Sequence, residues 1–400
     1  MRVCFTHLGC KLNQAETERL ARDFLAAGHL VVTSLGEADL HVVNTCTVTH
    51  TAARASRKAA RRGPRTVLTG CHATYQPGDV AGVDLIVPNP EKDRLLDHVH
   101  AAFPDLAPSE VPVPWVRLPF GHTRALVKVE DGCNMRCSFC IIPSTRGRQR
   151  SRPLAEVVEE VRSLVEAGYR EVVVTGVQIS AYRSGDDRLY ELVRAILERT
   201  EVPRLRLTSI APWDLDERLL ELWSDRRLCR HLHLSLQSGS TATLRRMRRP
   251  YTAEGYLGIL DRVRSSIPGV AVTTDVIVGF PGETAEEFEE SLAMVEAARF
   301  AKAHVFPFSP RPGTEAADLP GHVHPDGKKA RMERMLAVAD RAERGFWLSH
   351  VGRREIVLWE RGGQGLTDNY LRVYCPEGAW NEFSEVEVVG VAADGVIGRL

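Results

Sequence analysis

The stretch Cys133-Asn134-Met135-Arg136-Cys137-Ser138-Phe139-Cys140 carries three thiols at C-x₃-C-x₂-C spacing. It follows a short apolar run, residues 125–129, which predicts a buried β-strand. Three neighbouring thiolates on one loop can each bind one iron of a cubane iron–sulfur cluster, whereas such clusters usually take four thiolates. The fourth iron then stays open to a small ligand, so this spacing favours a cluster that takes part in chemistry.

A structural zinc site is the main alternative for these thiols. Structural zinc takes four ligands, often as two C-x₂-C pairs or as Cys with His. Cys137 and Cys140 form one such pair, but the sequence contains no second pair, and its nine Cys are too sparse for a disulfide framework. The cluster is therefore the favoured interpretation, and a zinc protein or a non-enzymatic iron–sulfur protein stays open as an alternative.

Charge and composition limit the possible surroundings and partners. The 400 residues carry 52 basic and 52 acidic side chains, so binding to a nucleic acid must depend on local basic patches. No apolar run is long enough to span a bilayer, and the first residues lack a signal-peptide pattern. We therefore expect a cytoplasmic protein without membrane contact. Two candidate basic patches are Arg54, Arg57, Lys58, Arg61, Arg62 and Arg65, and Arg245, Arg246, Arg248 and Arg249.

Alternation of strand and helix patterns predicts an α/β protein in three parts. Residues 1–110 read as an N-terminal α/β layer domain, followed by a proline-rich linker over 104–119. Residues 119–349 contain six β-α repeats, which predict a partial (β/α)6 barrel. Residues 350–400 predict a small antiparallel β-barrel. The six barrel strands are predicted at 125–130, 171–175, 205–209, 231–236, 271–278 and 303–306.

Active sites of such barrels lie at the C-terminal ends of the strands, where the Cys133 loop is expected. Small and polar residues follow the later strands and suit a ligand with a ribose and an amino-acid group. The candidates are Gly176, Gln178, Ser235, Gln237, Gly279 and Glu283, together with Asp275 on the fifth strand itself. The Cys spacing resembles that of radical S-adenosylmethionine (SAM) enzymes. That resemblance implies SAM on the open iron and its one-electron cleavage to a 5′-deoxyadenosyl radical.

Three further thiols, Cys10, Cys46 and Cys71, each follow a short apolar strand. In a parallel layer those strand ends gather at one edge, so the three thiols can meet and hold a second cluster. Buried Cys is also a common small apolar residue, and spacing alone leaves both interpretations open. Cys4, Cys229 and Cys375 have no motif partners and are not predicted to be ligands.

These motifs together resemble the radical SAM methylthiotransferases over nearly the whole chain. The contexts of Cys10, Cys46 and Cys71, the segment 132–143 with Arg146-Gly147-Arg148, and the segment 275–284 carry the likeness. It implies two 4Fe–4S clusters, on Cys10, Cys46 and Cys71 and on Cys133, Cys137 and Cys140. It also implies SAM, a one-electron reductant such as flavodoxin or ferredoxin, a sulfur donor that stays unassigned, and a TRAM-like C-terminal barrel that contacts RNA.

Within that family, residues 9–14 and 44–49 are most similar to the branch that acts on threonylcarbamoyladenosine. The resemblance implies methylthiolation at C2 of this base, next to the anticodon in the tRNA anticodon stem-loop. The branches acting on isopentenyl-adenosine and on a ribosomal-protein aspartate are the alternatives. One departure concerns the C-terminal module, residues 351–400, which has five Arg or Lys against eight Asp or Glu and is thus acidic for an RNA-binding module.

Overall fold

A computed structural model describes residues 1–106 and 123–400. The predicted linker over 104–119 therefore lies, from residue 107 onward, outside the described residues. Within them the chain forms a parallel sheet, an open barrel of parallel strands and a small closed barrel, in that order. No helix of the described part is both long and apolar enough to cross a membrane. The predicted α/β class with a C-terminal β-barrel is confirmed.

The N-terminal sheet has five parallel strands in the order β2-β1-β3-β4-β5. Its strands are β1 Arg2–His7, β2 Leu30–Val32, β3 Leu40–Thr45, β4 Thr66–Gly70 and β5 Leu85–Val87. Its helices are α1 Lys11–Ala26, α2 His50–Ala60, α3 Cys71–Tyr75 and α4 Leu95–Ala102. The elements β2, α3 and α4 were not among those predicted from the sequence.

The central barrel consists of two three-stranded parallel sheets, ordered β10-β9-β6 and β11-β12-β13. A parallel bridge between Ile210 and Leu234 joins them. Their strands are β6 Arg124–Lys128, β9 Glu171–Thr175, β10 Leu205–Leu207, β11 His231–His233, β12 Ala271–Val278 and β13 Lys302–Pro307. Two short strands, β7 Glu130–Asp131 and β8 Arg150–Ser151, form a separate antiparallel pair. Strand β10 ends before the predicted Ser209, because Ser209 has a left-handed φ of 37°. Strand β11 ends at His233, before the predicted 236.

The helices of this part are α5 Ile142–Arg146, α6 Leu154–Glu166, α7 Leu189–Arg199, α8 Glu217–Glu221, α9 Thr241–Arg246, α10 Ala253–Ser266, α11 Ala285–Ala298, α12 Glu315–Asp318 and α13 Pro325–Leu348. Of these, α6, α7, α8, α10, α11 and α13 pack on the outer face of the barrel, whereas Ile142 and Arg146 of α5 face its interior. Because side chains alternate along a strand, Val172 and Val174 pack under the helices while Thr175 faces the barrel interior. The barrel interior is consequently polar at several positions.

The C-terminal module is a closed barrel in the order β14-β15-β16-β18-β17. Its strands are β14 Arg354–Glu360, β15 Gln364–Thr367, β16 Arg372–Tyr374, β17 Phe383–Val391 and β18 Val396–Arg399. All pairings are antiparallel except that of β16 with β18. Trp359 lies fully buried in its core.

Both flanking modules close the central barrel. Ala15 of α1 packs on Leu126 and Val173, which face the barrel interior. The C-terminal barrel packs at the N-terminal ends of the central-barrel strands. There Arg206 donates to the carbonyl oxygens of Asp368 (2.8 Å) and Thr367 (3.1 Å). All three parts of the chain therefore border one interior space.

Candidate active site

The Cys133 loop lies at the C-terminal end of the first barrel strand, as predicted. Cys133 Sγ accepts a hydrogen bond from Met135 N at 3.4 Å, and the Arg249 guanidinium donates to Cys137 Sγ at 3.4 Å. The loop is anchored by Ser138, whose hydroxyl donates to the Arg246 carbonyl oxygen at 2.8 Å. Hydrogen bonds and a positive charge at the sulfurs stabilise thiolates, which are the form that binds iron.

The three thiols of this loop interact with one another. Burial raises the pKa of Cys140 to about 12, and the neighbouring Cys137 and Cys133 raise it further because like charges repel. Coordination to a metal removes that proton outright. The donor set of three close thiols with Arg249 beside them fits an anionic metal cluster, and their role as ligands stays a prediction.

The upstream thiols Cys10, Cys46 and Cys71 also come together, because they follow the adjacent strands β1, β3 and β4. The loops approach so closely that a Cβ on Gly9, which has a φ of +91°, would lie 2.6 Å from Cys46 Sγ. Burial raises the pKa of Cys46 to about 12, and Cys71 and Cys10 are near enough to raise it further. The sheet edge thus assembles the predicted second triad.

No three His, Cys, Asp or Glu side chains in the described ranges converge on a position for one metal ion. An iron–sulfur cluster does not require such convergence, since each thiolate binds a separate iron.

A buried ionic network lies between the two triads and joins the N-terminal domain to the barrel. Arg146 donates to Glu16 (2.8 and 3.1 Å), Asp131 (2.9 Å) and Asn13 Oδ1 (2.6 Å). Burial opposes the charge of Arg146, but the Glu16 carboxylate and the Cys71 thiol raise its pKa well above the ordinary value. The guanidinium therefore sits within electrostatic range of the second triad.

Two lysines complete this network on its other side. Lys92 Nζ lies 2.7 Å from Glu16, and Lys128 Nζ lies 2.9 Å from Glu16 and 3.1 Å from Asp131. Arg150 also approaches Asp131, at 3.5 Å, from the surface. The network thus holds four cations against two carboxylates, and its excess positive charge suits neighbouring thiolates.

Several of the predicted strand-end residues gather near the Cys133 loop. Gln178 Oε1 lies 4.0 Å from Cys133 Sγ, and its amide donates to Asp214 Oδ2 at 2.5 Å. The backbone oxygen of Ser235 accepts from the Tyr251 hydroxyl at 3.0 Å, beside Arg249. Gln237 pairs by its backbone N with Asp275 O at 2.8 Å.

The other residues predicted to contact the ligand are hydrogen-bonded to, or packed against, neighbouring protein groups. The Asp275 carboxylate lies 3.2 Å from His233 Nε2. Although burial opposes ionisation, this hydrogen bond holds the pKa of Asp275 below its ordinary value. Glu283 accepts from Gly279 N at 2.7 Å and from Arg331, so its carboxylate fixes the turn after β12. Gly176 packs directly on Glu130, since a Cβ there would lie 2.8 Å from Glu130 Oε2.

A cavity of about 670 Å³ occupies the interior of the barrel, within the range of ligand sites. Cys10 is exposed in its wall, and Gly176 borders it near the Cys133 loop. Its remaining polar lining includes Lys11, Thr175, Thr208, His231, His233, Thr273, His304 and Tyr370. The cavity therefore connects the surroundings of both triads with a polar interior.

Sequence patterns did not single out several residues at this site. Arg249 belongs to a run predicted as a basic surface patch, yet its guanidinium lies 4.5 Å from the Trp213 ring centroid and contacts Cys137. Trp213 in turn stacks on Tyr251, with centroids 5.6 Å apart. Lys11 and Tyr370 lie near opposite ends of the sequence, so only folding reveals that both line this cavity. The adjacency of Lys11 to Cys10 was the one available signal.

Comparison with known proteins agrees with this geometry. Residues 127–295 match the profile of the Radical SAM superfamily, and residues 2–86 match that of Uncharacterized protein family UPF0004. The chain is 36% identical to the threonylcarbamoyladenosine tRNA methylthiotransferase MtaB of Bacillus subtilis (strain 168), over 93% of this chain and 89% of that relative. It is 35% identical to the tRNA-2-methylthio-N(6)-dimethylallyladenosine synthase of Syntrophotalea carbinolica, over 89% and 88%.

Solved structures support the fold. The radical S-adenosylmethionine methyltransferase TsrM from Kitasatospora setae superposes with a TM-score of 0.58 at 18% identity, covering 79% of this chain and 75% of that one.

A further sequence relative shows how much of the chain the family covers. The MtaB of Thermotoga maritima is 34% identical in sequence over 97% of this chain and 94% of its own length. With such coverage at this identity, the chain belongs to the radical SAM tRNA methylthiotransferases, enzymes that transfer sulfur and methyl groups.

Proposed function

We propose that this chain inserts a methylthio group at C2 of N6-threonylcarbamoyladenosine, next to the anticodon of tRNA, with SAM and two 4Fe–4S clusters. The observation that carries the proposal is the cavity, which runs from Gly176 beside the Cys133 loop to the exposed thiol of Cys10. A base held in this cavity meets the surroundings of both Cys triads at once. Such an arrangement suits a reaction that needs a radical on one side and a sulfur on the other.

Two sets of thiols would hold the clusters: Cys133, Cys137 and Cys140, and Cys10, Cys46 and Cys71. When bound, SAM with a reduced cluster supplies the radical chemistry for which the superfamily is named. The protein's own part is to position and shield. Arg249 stabilises the Cys137 thiolate, and Arg146 places positive charge beside Cys71.

Contacts with SAM are assigned to the strand ends around the Cys133 loop. Gln178 and Ser235 lie at the two flanks of this loop, beside Cys133 and Arg249 respectively. Gly176 lines the cavity next to this loop, and Gln237 and Asp275, which are joined by a backbone hydrogen bond, are proposed to complete the SAM site. Gly279 and Glu283 shape the turn after β12 through their mutual hydrogen bond.

The choice of threonylcarbamoyladenosine depends on the chemistry of the cavity. Relatives named for this base and for dimethylallyladenosine are nearly equally similar, at 36% and 35% identity. A dimethylallyl group is apolar and would leave buried polar groups without partners, which costs free energy. The threonylcarbamoyl group carries a carboxylate and a hydroxyl, and therefore matches a wall with Lys11, His231 and Thr273.

Nucleoside analysis of tRNA tests the proposal. Anaerobically reconstituted protein is incubated with SAM, a reductant, a sulfide salt as sulfur source, and either tRNA that carries one of the two bases or ribosomal protein. The digests are analysed by mass spectrometry. We expect methylthiolation of threonylcarbamoyladenosine and little of the dimethylallyl base. Product on the dimethylallyl base alone, or on a ribosomal protein instead of tRNA, would overturn the assignment.

Partners follow from the reaction. We place it in the cytoplasm with the tRNA substrate, and we expect flavodoxin or ferredoxin to deliver the single electron. The basic helix α2 offers exposed cations for tRNA phosphates, since Arg54, Lys58, Arg61 and Arg62 are all exposed.

A further inference from the structure

The floor of the barrel cavity is formed by residues from three different parts of the chain. Tyr370 comes from the C-terminal barrel and stacks on His231 of β11, with ring centroids 4.7 Å apart and planes 24° from parallel. Lys11, from the first turn of α1, places its Nζ 4.8 Å from the Tyr370 ring centroid. The main chain of Tyr370 is left-handed, with φ of 70°, a conformation that a non-glycine residue adopts only when its surroundings impose it.

Lys11 differs from the other cations that line the cavity. Each of the others has a carboxylate neighbour: Arg124 with Glu360 (2.9 Å), Arg146 with Glu16 (2.8 Å), Lys302 with Glu343 (2.9 Å) and Arg372 with Asp394 (3.5 Å). Within residues 1–106 and 123–400, no carboxylate lies at ion-pair distance from Lys11. Lys11 is hydrogen-bonded to the Tyr370 side chain and not to a carboxylate. The floor therefore presents a positive charge without a carboxylate counter-ion, which suits an anionic ligand.

His231 gives a second and independent sign of a ligand. Its side chain is buried, with 2% exposure, and lines the cavity. Its Nε2 lies 3.1 Å from the Thr273 hydroxyl, whereas its Nδ1 has no hydrogen-bond partner among the described residues. A buried ring nitrogen without a partner is costly. Because the Tyr370 ring stacks on His231 and less than 1 Å² of Nδ1 is accessible, a ligand polar group reaches this nitrogen only after one of the two rings shifts.

We propose that Lys11, Tyr370 and His231 form a subsite for the carboxylate and hydroxyl of the threonylcarbamoyl group. This inference rests on the proposed function and adds to it how the N6 substituent is recognised. In the six-membered ring of adenine, C2 and C6 are separated by N1, and C6 carries the exocyclic N6. When C2 faces Cys10, the N6 substituent extends along the cavity toward the floor.

The subsite also explains a choice between substrates. A dimethylallyl group has no charge to pair with Lys11 and no hydrogen-bonding atom for His231 or the Tyr370 hydroxyl. Sites built to bind a polar group reject analogues that lack it, because their own polar groups are then left unpaired. The floor therefore selects for an anionic N6 substituent.

The test compares two anticodon stem-loop RNAs, one with N6-threonylcarbamoyladenosine and one with its methyl ester, which lacks the negative charge. The readout is kcat/KM for methylthiolation of each RNA. We expect the wild type to prefer the acid by about 10- to 100-fold, the value of a hydrogen bond to a charged group. Lys11→Met should reduce this ratio to about one by slowing the acid alone.

Two further variants separate recognition from damage to the neighbouring Cys10. Tyr370→Phe, on a different element, should lower the acid-to-ester ratio by about 3- to 10-fold with unchanged iron content. Lys302→Met removes the cavity lysine that is already paired with Glu343, and should keep the wild-type ratio. A Lys11→Met variant that slows both RNAs equally would overturn the subsite.

The outcomes for the wild type distinguish the two proposals. Equal rates on acid and ester would overturn the subsite while methylthiolation of this base stands. Modification of neither RNA, with SAM still cleaved, would overturn the proposed substrate and the subsite together.

Discussion

The buried network around Arg146 makes a quantitative prediction about how the N-terminal domain is held on the barrel. Arg146→Met keeps most of the side-chain volume but removes the cation that contacts Glu16 and Asp131. Removing one partner of a buried ion pair costs about 3–5 kcal/mol. Because Lys92 and Lys128 still contact Glu16, we expect the lower end, about 3 kcal/mol.

The assay is thermal unfolding of anaerobically reconstituted protein, with iron counted in the same samples. A loss of about 3 kcal/mol corresponds to an apparent midpoint lower by about 6 °C or more, at roughly 2 to 4 °C per kcal/mol. Iron should fall from about eight toward about four per chain, because Arg146 borders only the upstream triad closely. Deoxyadenosine formation at the Cys133 loop should persist.

An exposed ion pair supplies the matched control. Arg194 and Glu198 lie one helical turn apart on α7 with 2.8 Å between Nε and Oε1, and both are about half exposed. Arg194→Met should therefore cost less than about 0.5 kcal/mol and leave iron unchanged. If Arg146→Met unfolds at the wild-type midpoint and keeps all its iron, the network does not hold the domains together and the reasoning is refuted.

Three other predictions concern single side chains. Cys46→Ala should lose about half the iron yet still form deoxyadenosine from SAM, whereas Cys133→Ala should form none; full iron in Cys46→Ala would contradict the ligand assignment. Arg249→Gln should keep its iron but cleave SAM about 10- to 100-fold more slowly, and an unchanged rate would show that this guanidinium is dispensable. Burial raises the pKa of Glu18 from its ordinary 4.5 to about 7. The free energy of unfolding therefore decreases as the pH rises from 4.5 to about 7, because the folded state holds the proton more tightly than the unfolded state. Glu18→Gln should thus raise the unfolding midpoint at pH 8, where the gain is about 3 kcal/mol, and have little effect at pH 4; equal shifts at both would exclude titration of Glu18 as the cause.

Local sequence patterns predicted most of the architecture. The six barrel strands were predicted because continuous apolar runs such as 171–175 alternate with amphipathic helices. Thr284 and Glu287 have the S/T-x-x-E spacing of a helix start, and the structure contains that reciprocal cap at α11. The juxtaposition of Cys10, Cys46 and Cys71 followed from parallel topology alone, since strand ends of one sheet share an edge.

Such sequence patterns could not predict which side chains line the cavity or contact the thiols. Arg249 looks like one member of a surface run, and only tertiary packing turns it toward Cys137 while Arg248 pairs with Glu315. Tyr370 and Lys11 meet because the C-terminal barrel and α1 both pack on the central barrel. No periodicity or spacing encodes such a contact, because it depends on how three separately folded units dock.

Docking also gives a physical reason for the acidic C-terminal barrel. Its carboxylates pair with basic side chains at the lower end of the central barrel, Glu360 with Arg124 (2.9 Å) and Asp368 with Arg230 (2.6 Å). Its backbone oxygens accept from Arg206 as well. The surplus of acids thus complements the barrel that this module closes. It follows that the module acts as the floor of the active-site cavity, and that most phosphate contacts with tRNA must come from cations elsewhere on the chain.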